Sequence, residues 1–276
     1  MGEAKQLVVK PISAQDANRI VKVLHYSGKV VHNSQVHLGV FMGDKCGGAM
    51  QFGPSLDKRK MVGLVKGTLW NEFIELNRLA FADWLPRNSE SRCIGYAMKW
   101  LRRRYPWLKW VVSFADGTQC GDGTIYRASG FALTGIKVND QMWQAPSGGQ
   151  VFSRTSLTDG RSKRQQLQAS VIVSRTTAKG KHILNSGAAS MKAFQEAGWA
   201  PMKGFQLRYI YFIHPEERGN LTVPVLPFSE IERRGAGMYK GIKRSECDSS
   251  TVAFHVAGGG AIPTRTLQEG IATHLP

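Results

Sequence analysis

The succession of patterns between residues 73 and 138 constrains the fold more than any other part of the chain. "FIELNRLAF" alternates and is rich in strand formers, which predicts a strand. In "NSESRCIGYAMKWLRRRYP", Asn88 or Ser89 is placed to cap a helix and Pro106 to stop it. Between them Ile94, Ala97, Met98, Leu101 and Tyr105 recur on one helical face. "WLKWVVSFAD" reads as a buried strand, "GDGTIYRASGF" as a short helix ended by Gly130, and "FALTGIKV" as another strand. Elements alternating in this way predict an α/β fold, a mixed central β-sheet flanked by helices.

Upstream, "QLVVKPIS" reads as a strand, and Ser13 is a plausible N-cap for "AQDANRIVKVL", where Ala17, Ile20, Val21 and Leu24 keep helical spacing. "VHLGVFM" and "CGGAMQFG" form a hairpin about Gly43-Asp44. Past Asn139 the pattern weakens. "NDQMWQAPSGGQ" reads as a loop, "RSKRQQLQASVIVS" as partly helical, and "KGFQLRYIYFIH" as a strand. The Gly- and Ser-rich tail from Cys247 is expected to be irregular. The expected organisation is a catalytic domain over residues 1–215 with a basic insertion at about 145–203, followed by a partly irregular C-terminal extension, residues 216–276. "IYRASGF" and "AFQEAGW" share one spacing, an aromatic residue four positions before Gly-aromatic.

Charge narrows the partners. The chain has 37 Lys and Arg against 20 Asp and Glu, a net +17, and such an excess points to a polyanion, nucleic acid before membrane. Lys99, Arg102, Arg103, Arg104 and Lys109 make one cluster, and Arg233, Arg234, Lys240, Lys243 and Arg244 another. Between residues 160 and 195 lie Arg161, Lys163, Arg164, Arg175, Lys179, Lys181 and Lys192, with no acidic residue. Arg102, Arg103, Lys163, Arg164, Lys179 and Lys181 are the candidates for tracking a DNA backbone. No window approaches the ~18 consecutive apolar residues of a membrane span, and residues 1–10 lack the apolar core of an export signal. Cys46, Cys93, Cys120 and Cys247 are scattered without a CxxC pair. That spacing excludes a zinc ribbon and favours reduced thiols in a cytosolic compartment.

Chemistry concentrates in "FADGTQCGDGTIYRASGF". An EF-hand loop would need a closing Glu, and none follows Asp116, Thr118, Cys120 and Asp122. No P-loop Lys-Ser/Thr follows the glycines, and Cys120 has no nearby His to activate it. The stretch reads as a strand end carrying Asp116, a Gly-rich bridge with Asp122 as helix cap, and a helix whose first turn presents Tyr126. Upstream, Arg92-Cys93-Ile94-Gly95-Tyr96-Ala97 opens a helix after a strand. Free backbone N–H groups, a glycine and the positive helix end together suit a pyrophosphate. This motif resembles the coenzyme-binding signature of the GNAT acyltransferase superfamily. The resemblance implies an acetyl-CoA or related acyl-CoA donor held at Arg92, Cys93, Ile94, Gly95 and Ala97, and Tyr126 as proton donor to the leaving thiolate.

"HYSG", "ELNRL", "NSESRCIGYAMKWL", "SFAD", "GTIYRASGF" and "LTG" occur in the order and approximate spacing of the phage Mom proteins, a GNAT-like family of DNA modification enzymes, over roughly residues 10–137. The similarity continues more faintly through "GFQLRYIYFI" and "GAGMYKGIKR". It implies conversion of adenine in double-stranded DNA to N6-(carbamoylmethyl)adenine, shielding a phage genome from restriction in the host cytoplasm. The family's functional positions fall on His25, Tyr26, Arg78, Asp116 and Tyr126. Chemistry agrees with the types: His25 titrates near neutrality, and Asp116 ends a strand where open α/β sheets bind ligands. Arg78, mid-strand among Ile74, Leu76 and Leu79, calls for a carboxylate partner, Glu75 or Asp116. Adenine N6 is a poor nucleophile that must leave the base stack. Tyr26, Trp84, Trp107 and Trp110 are candidates to wedge or stack, with core packing as the plain alternative for each. The family also implies a metal, iron, on His25, Tyr26 and Asp116, although no HxH or HxxxH pair occurs. An acetyl transfer alone does not yield a carbamoylmethyl group, so either the donor is unusual or a second step follows. The alternative is a GNAT N-acetyltransferase acting on a protein or small-molecule amine, which would be indifferent to DNA. Oligomeric state is left open, a homodimer being one form.

Overall fold

The computed structural model describes residues 3–118, 121–146, 151–154, 157, 191–239 and 242–243. Four strands open the main sheet: β1 (Val8–Pro11), β2 (Val36–Met42), β3 (Lys45–Gly53) and β4 (Phe73–Phe81), each antiparallel to the next. β5 (Trp110–Asp116) then runs parallel to β4, because α3 (Ser89–Arg104) carries the chain back between them as a crossover. The seven-stranded order is β1-β2-β3-β4-β5-β10-β6, where β6 is Ala132–Val138 and β10 is Phe205–Phe212.

Both long helices form as their patterns predict. In α1 (Ala14–Leu24), the Ser13 hydroxyl accepts the Asp16 N–H at 3.0 Å, and Ala17 and Val21 are buried. α3 buries Cys93, Ile94, Ala97, Met98 and Leu101. These join Leu38, Phe52, Leu76, Val111, Leu133 and Tyr209 in the largest core. A second cluster of Leu64, Val65, Phe73, Trp110, Val112 and Ile210 is tied to the connection between β3 and β4, which contains α2 (Lys58–Val62). Residues 215–239 pack on as well, with Ile231 of α6 (Ser229–Arg233) and Ala236 in the largest core.

The predicted loop "NDQMWQAPSGGQ" contains a strand instead. β7 (Met142–Gln144) pairs with β8 (Val151–Ser153) on one side and β9 (Ala200–Pro201) on the other. Its Trp143 sits in a small separate core with Ala145, Leu157, Phe194 of α5 (Met191–Glu196) and Trp199. A three-residue strand has no readable period, and its partner β9 is far away in sequence. A two-stranded ribbon, β11 (Met238–Tyr239) and β12 (Ile242–Lys243), ends the described chain.

Candidate active site

β4 and β5 pair only at Phe73–Trp110, Ile74–Val111 and Glu75–Val112. Beyond Glu75 they part, and the Ser113 hydroxyl satisfies the stranded Leu76 carbonyl at 3.3 Å. Just past the fork, β4 is bulged. Gln51 faces Arg78 while Phe52 faces Leu76, which leaves Asn77 without an opposite residue and re-aims its neighbours. The fork therefore opens at the carboxyl ends of two parallel strands, where sheets of this type bind ligands.

The segment after α1 closes one side of the fork. His25 leaves the helix with extended backbone, and its Nδ1 accepts the Ser27 N–H at 3.1 Å, with the Ser27 hydroxyl 2.8 Å away. With Nδ1 accepting, the neutral ring carries its proton on Nε2. Burial first, and then the Arg78 charge, pull the His25 pKa down to about 4. His25 is therefore an uncharged donor at neutral pH. The Tyr26 ring lies 4.3 Å from the His25 ring at a 30° tilt, with its outer face exposed.

Arg78 reaches back to this segment. Its Nε–H donates to the Lys29 carbonyl at 2.9 Å and Nη1 to the Asn77 carbonyl at 2.7 Å. Burial lowers its pKa, while Tyr26 and Glu75 act in the opposite sense. The expected carboxylate partner is thus a neighbouring charge, Glu75, and two backbone carbonyls take the guanidinium hydrogen bonds. Glu75 is held by the Ser55 hydroxyl, the Asn77 side chain and the Leu56 N–H. Even so, burial pushes its carboxyl above the ordinary carboxylate range. Ser34 donates to Asn77 Oδ1 at 3.2 Å, which leaves the Asn77 amide N–H directed to Glu75. Glu75 and Asn77 thus do more than the sequence reading assigns to them. The signal was present, since strand alternation puts both on one face.

On the other arm, Asp116 Oδ1 accepts the Thr118 N–H and the Asn139 side-chain amide, each at 3.0 Å. Asn139 also donates to Thr118 Oγ1 at 3.2 Å. Tyr126 lies in α4 (Thr124–Ala128), buried between Phe131 and Tyr209 with ring centroids at 5.4 and 5.3 Å. The Tyr209 hydroxyl donates to the Asp122 carbonyl at 2.6 Å. The cap position of α4 is Gly123, with φ +81°, rather than Asp122. A side chain there would need the left-handed region and would also meet the Tyr209 ring at 2.6 Å. Asp122 instead accepts the Thr124 hydroxyl at 2.9 Å.

At the start of α3, a cleft of about 580 Å³ is lined by Lys5, Arg87, Asn88, Ser91 and Arg92, with one carboxylate, Glu3, at its wall. Asn88 occupies the cap position without a side-chain cap, so first-turn N–H groups remain for a ligand. Arg92 Nη2 donates to the Tyr96 hydroxyl at 2.7 Å, while its buried Nε has no protein acceptor. Nothing lies within 4 Å of where a Gly95 Cβ would be. Cys93, Ile94 and Ala97 point into the core, so only their backbone could meet a bound donor. Burial pushes the Cys93 thiol up to about 12, which rules it out as a nucleophile. These features fit an anionic coenzyme.

The metal set fits less well. His25 presents Nε2–H rather than a lone pair, and Asp116 Oδ1 is already shared by two donors. Among the described residues, no three His, Cys, Asp or Glu side chains come together. Of the aromatic candidates, Tyr26, Trp84 and Trp107 are exposed. Trp110 is fully buried and stacks on Phe73 at 4.4 Å, so it is a core residue and cannot stack on a base. Arg102 and Arg103 are exposed on the last turn of α3, about 15 Å along the helix from Arg92. Lys163, Arg164, Lys179, Lys181 and Cys120 lie outside the described residues. Among the described residues, no helix is long and apolar enough to cross a membrane.

The family model described as "Mom protein family" matches residues 6–230. The chain belongs to the Mom protein family. The match takes in both arms of the fork, the α3 start and β10. A relative, "Methylcarbamoylase mom" of Escherichia phage Mu, is 44% identical over 133 residues, 48% of this chain and 55% of that protein. The chain therefore covers only about half the length of that relative. Among solved structures, an IAA acetyltransferase from Bacillus cereus overlays with TM-score 0.38 at 9% identity, covering 75% of this chain and 99% of that one. A GNAT family acetyltransferase from Brucella melitensis, in complex with acetyl-CoA, gives 0.32 at 14% identity over 45% and 82%. Those overlays are loose, and the fold rests on the chain's own topology.

Proposed function

We propose that this chain modifies adenine in double-stranded DNA at N6, adding a carbamoylmethyl group drawn from an acyl-CoA-type donor. The observation that carries this reading is the fork itself. A carboxylate made more basic by burial, Glu75, stands beside a fixed cation, Arg78, and an uncharged His25, on a chain of the Mom family. The phage Mu relative is by name a methylcarbamoylase, and the net charge of +17 suits a DNA substrate.

In an acyl transfer the N6–carbonyl bond forms, the thioester C–S bond breaks, N6 gives up one proton and the leaving thiolate takes one up. That product is an N6-acyladenine, so a carbamoylmethyl product requires either a donor carrying CH2–CONH2 on its sulfur or a further step after transfer. An aromatic amine needs a positioned base for the N6 proton. The fork offers Asp116 on β5 and Glu75 on β4, and burial raises the basicity of Glu75 above that of an ordinary carboxylate. Arg78 and the His25 Nε2–H are donors able to orient the transferred amide, and the outer face of Tyr26 is a stacking surface for the extruded base. The first turn of α3, with Arg92 and the open side of Gly95, would hold the donor pyrophosphate. Tyr126, fixed between Phe131 and Tyr209, would be the acid for the leaving thiolate. When bound, the donor supplies the activated carbon, and the chain supplies position and proton traffic.

Expression in a bacterial host, followed by digestion of its DNA to nucleosides and mass spectrometry, tests this. The expected product is deoxyadenosine enlarged by one carbamoylmethyl group. Only unmodified deoxyadenosine from cells holding folded protein would overturn the reading. Coenzyme A release driven by a free amine and indifferent to DNA would replace it with amine acetyltransfer.

A further inference from the structure

Residues 54–72 connect β3 to β4, and most of their side chains take no part in the chemistry just described. Three large apolar residues there face solvent: Leu56 at 100% exposure, Leu69 at 68% and Trp70 at 51%. One exposed leucine needs no explanation, but these stand on a rigid base. Leu64 and Val65 are buried in the core. The Lys66 N–H donates to the Asn220 carbonyl at 2.7 Å, and the Thr222 N–H to the Leu64 carbonyl at 2.9 Å. Trp110 Nε1 donates to the Thr68 hydroxyl at 3.0 Å. Leu56 itself is pinned, because its N–H donates to the Glu75 carboxylate. The connection therefore presents a fully exposed aliphatic tip immediately beside the candidate base.

Its charges say what the tip meets. Lys58, Arg59, Lys60 and Lys66 accompany one acid between residues 56 and 70, Asp57, which pairs with Lys60 at 2.8 Å. Lys58 Nζ lies 4.8 Å from the Trp70 ring centre, a cation over an exposed aromatic face. An apolar tip flanked by cations fits duplex DNA, whose phosphates flank an apolar stack of bases.

We propose that Leu56 is a wedge: on duplex DNA it enters the base stack and fills the space left by the extruded adenine, while Lys58, Arg59 and Lys60 hold the flanking phosphates. The assignment rests on the DNA reading given under Proposed function. It goes further in naming the surface that opens the duplex and in linking it, through one backbone hydrogen bond, to the base that acts on the extruded adenine. Leu56 is a positioning residue, since it touches the neighbouring stack rather than the reacting atoms.

The test uses the full chain and a duplex copied from a site found modified in cells, with 2-aminopurine in place of the target adenine. Wild-type protein should raise the 2-aminopurine fluorescence as the base leaves the stack. Leu56→Ser should lower the extruded fraction about tenfold or more, while leaving thermal stability unchanged, because an exposed side chain contributes little to the core. A mismatch opposite the target base, which removes much of the cost of opening, should bring Leu56→Ser within about twofold of wild type. Leu56→Phe should retain extrusion on the paired duplex. Lys58→Ala with Arg59→Ala should weaken binding and flatten its salt dependence by about 2 in log–log slope. Equal extrusion by wild type and Leu56→Ser would overturn the wedge and leave the DNA reading standing. So would a Leu56→Ser effect confined to self-association or to binding of anionic lipid vesicles. If cells expressing the wild type contain no modified adenine, both readings fall together.

Discussion

His25 is the residue whose environment most sharply departs from its ordinary chemistry. Burial and the neighbouring Arg78 charge hold its pKa at about 4, against 6.5 for the free side chain. Above pH 6.5 the ring is neutral in both folded and unfolded chains, so it contributes no pH dependence. As pH falls from 6.5 toward 4, the unfolded chain takes up the proton first and stability is lost, by at most about 3 kcal/mol. Urea unfolding of wild type and His25→Gln at pH 7 and at pH 4.5 should therefore show a larger acid loss in wild type, by about 2 kcal/mol. Parallel losses would mean that His25 is not held neutral by the fold. The residue type was legible in "HYSG", but its state was not, because it is set first by burial in the folded chain and then by the charge of Arg78 on β4. Glu75 was read only as a partner for Arg78. Its raised basicity comes from burial, which a strand pattern with one exposed face does not reveal. Cys93 was read only as part of the coenzyme-binding motif; its side chain lies in the core, so only its backbone can serve there.

At the scale of elements, one helix ending recurs. After α4 the Phe131 N–H reaches the Tyr126 carbonyl at 3.0 Å and the Gly130 N–H the Arg127 carbonyl at 3.1 Å. After α5 the same pair of bonds links Trp199 to Phe194 at 2.9 Å and Gly198 to Gln195 at 2.9 Å. Gly130 and Gly198 have φ of +83° and +86°, so both are Schellman caps that turn an aromatic residue back onto its helix. The shared spacing of "IYRASGF" and "AFQEAGW" has this physical cause. Gly130→Ala meets only the Tyr211 ring at 3.9 Å and should cost about 1 kcal/mol, the strain of a left-handed side chain. Gly123→Ala adds a 2.6 Å clash with the Tyr209 ring to the same strain and should cost about 3 kcal/mol or more. Denaturant unfolding of the two variants would show that ordering, and equal costs would mean that the loop before α4 yields freely. The strand–helix–strand run over residues 73–116 was legible because each element has its own period and stop signals. The insertion of β10 between β5 and β6 was not, since its pairing depends on partners far apart in the chain. The fork was equally hidden, because both β4 and β5 continue as good strands past the point where their pairing stops.

For the whole molecule, the proposed DNA substrate raises the question whether the charge of +17 acts as a diffuse field or as a track for a phosphate backbone. Both attract a polyanion, but they differ in salt dependence. Each phosphate neutralised by direct contact releases counterions and contributes about −0.9 to the log–log slope of affinity against salt, whereas distant charge contributes little once screened. Arg102 and Arg103 sit together on the exposed last turn of α3, well placed for a track. Lys137 and Lys203 are also exposed, but lie apart from the basic clusters along the chain. Replacing either pair by alanine removes the same formal charge, two units. If DNA follows the α3 end, the Arg102→Ala and Arg103→Ala double variant should flatten the slope by about 2. The Lys137→Ala and Lys203→Ala double variant should then leave the slope within experimental error of wild type. Fluorescence anisotropy of a labelled duplex between 50 and 300 mM salt, roughly the range where screening changes most, measures both. Equal flattening by the two pairs would show that the net charge, and not a contact surface at the end of α3, draws the DNA to this protein.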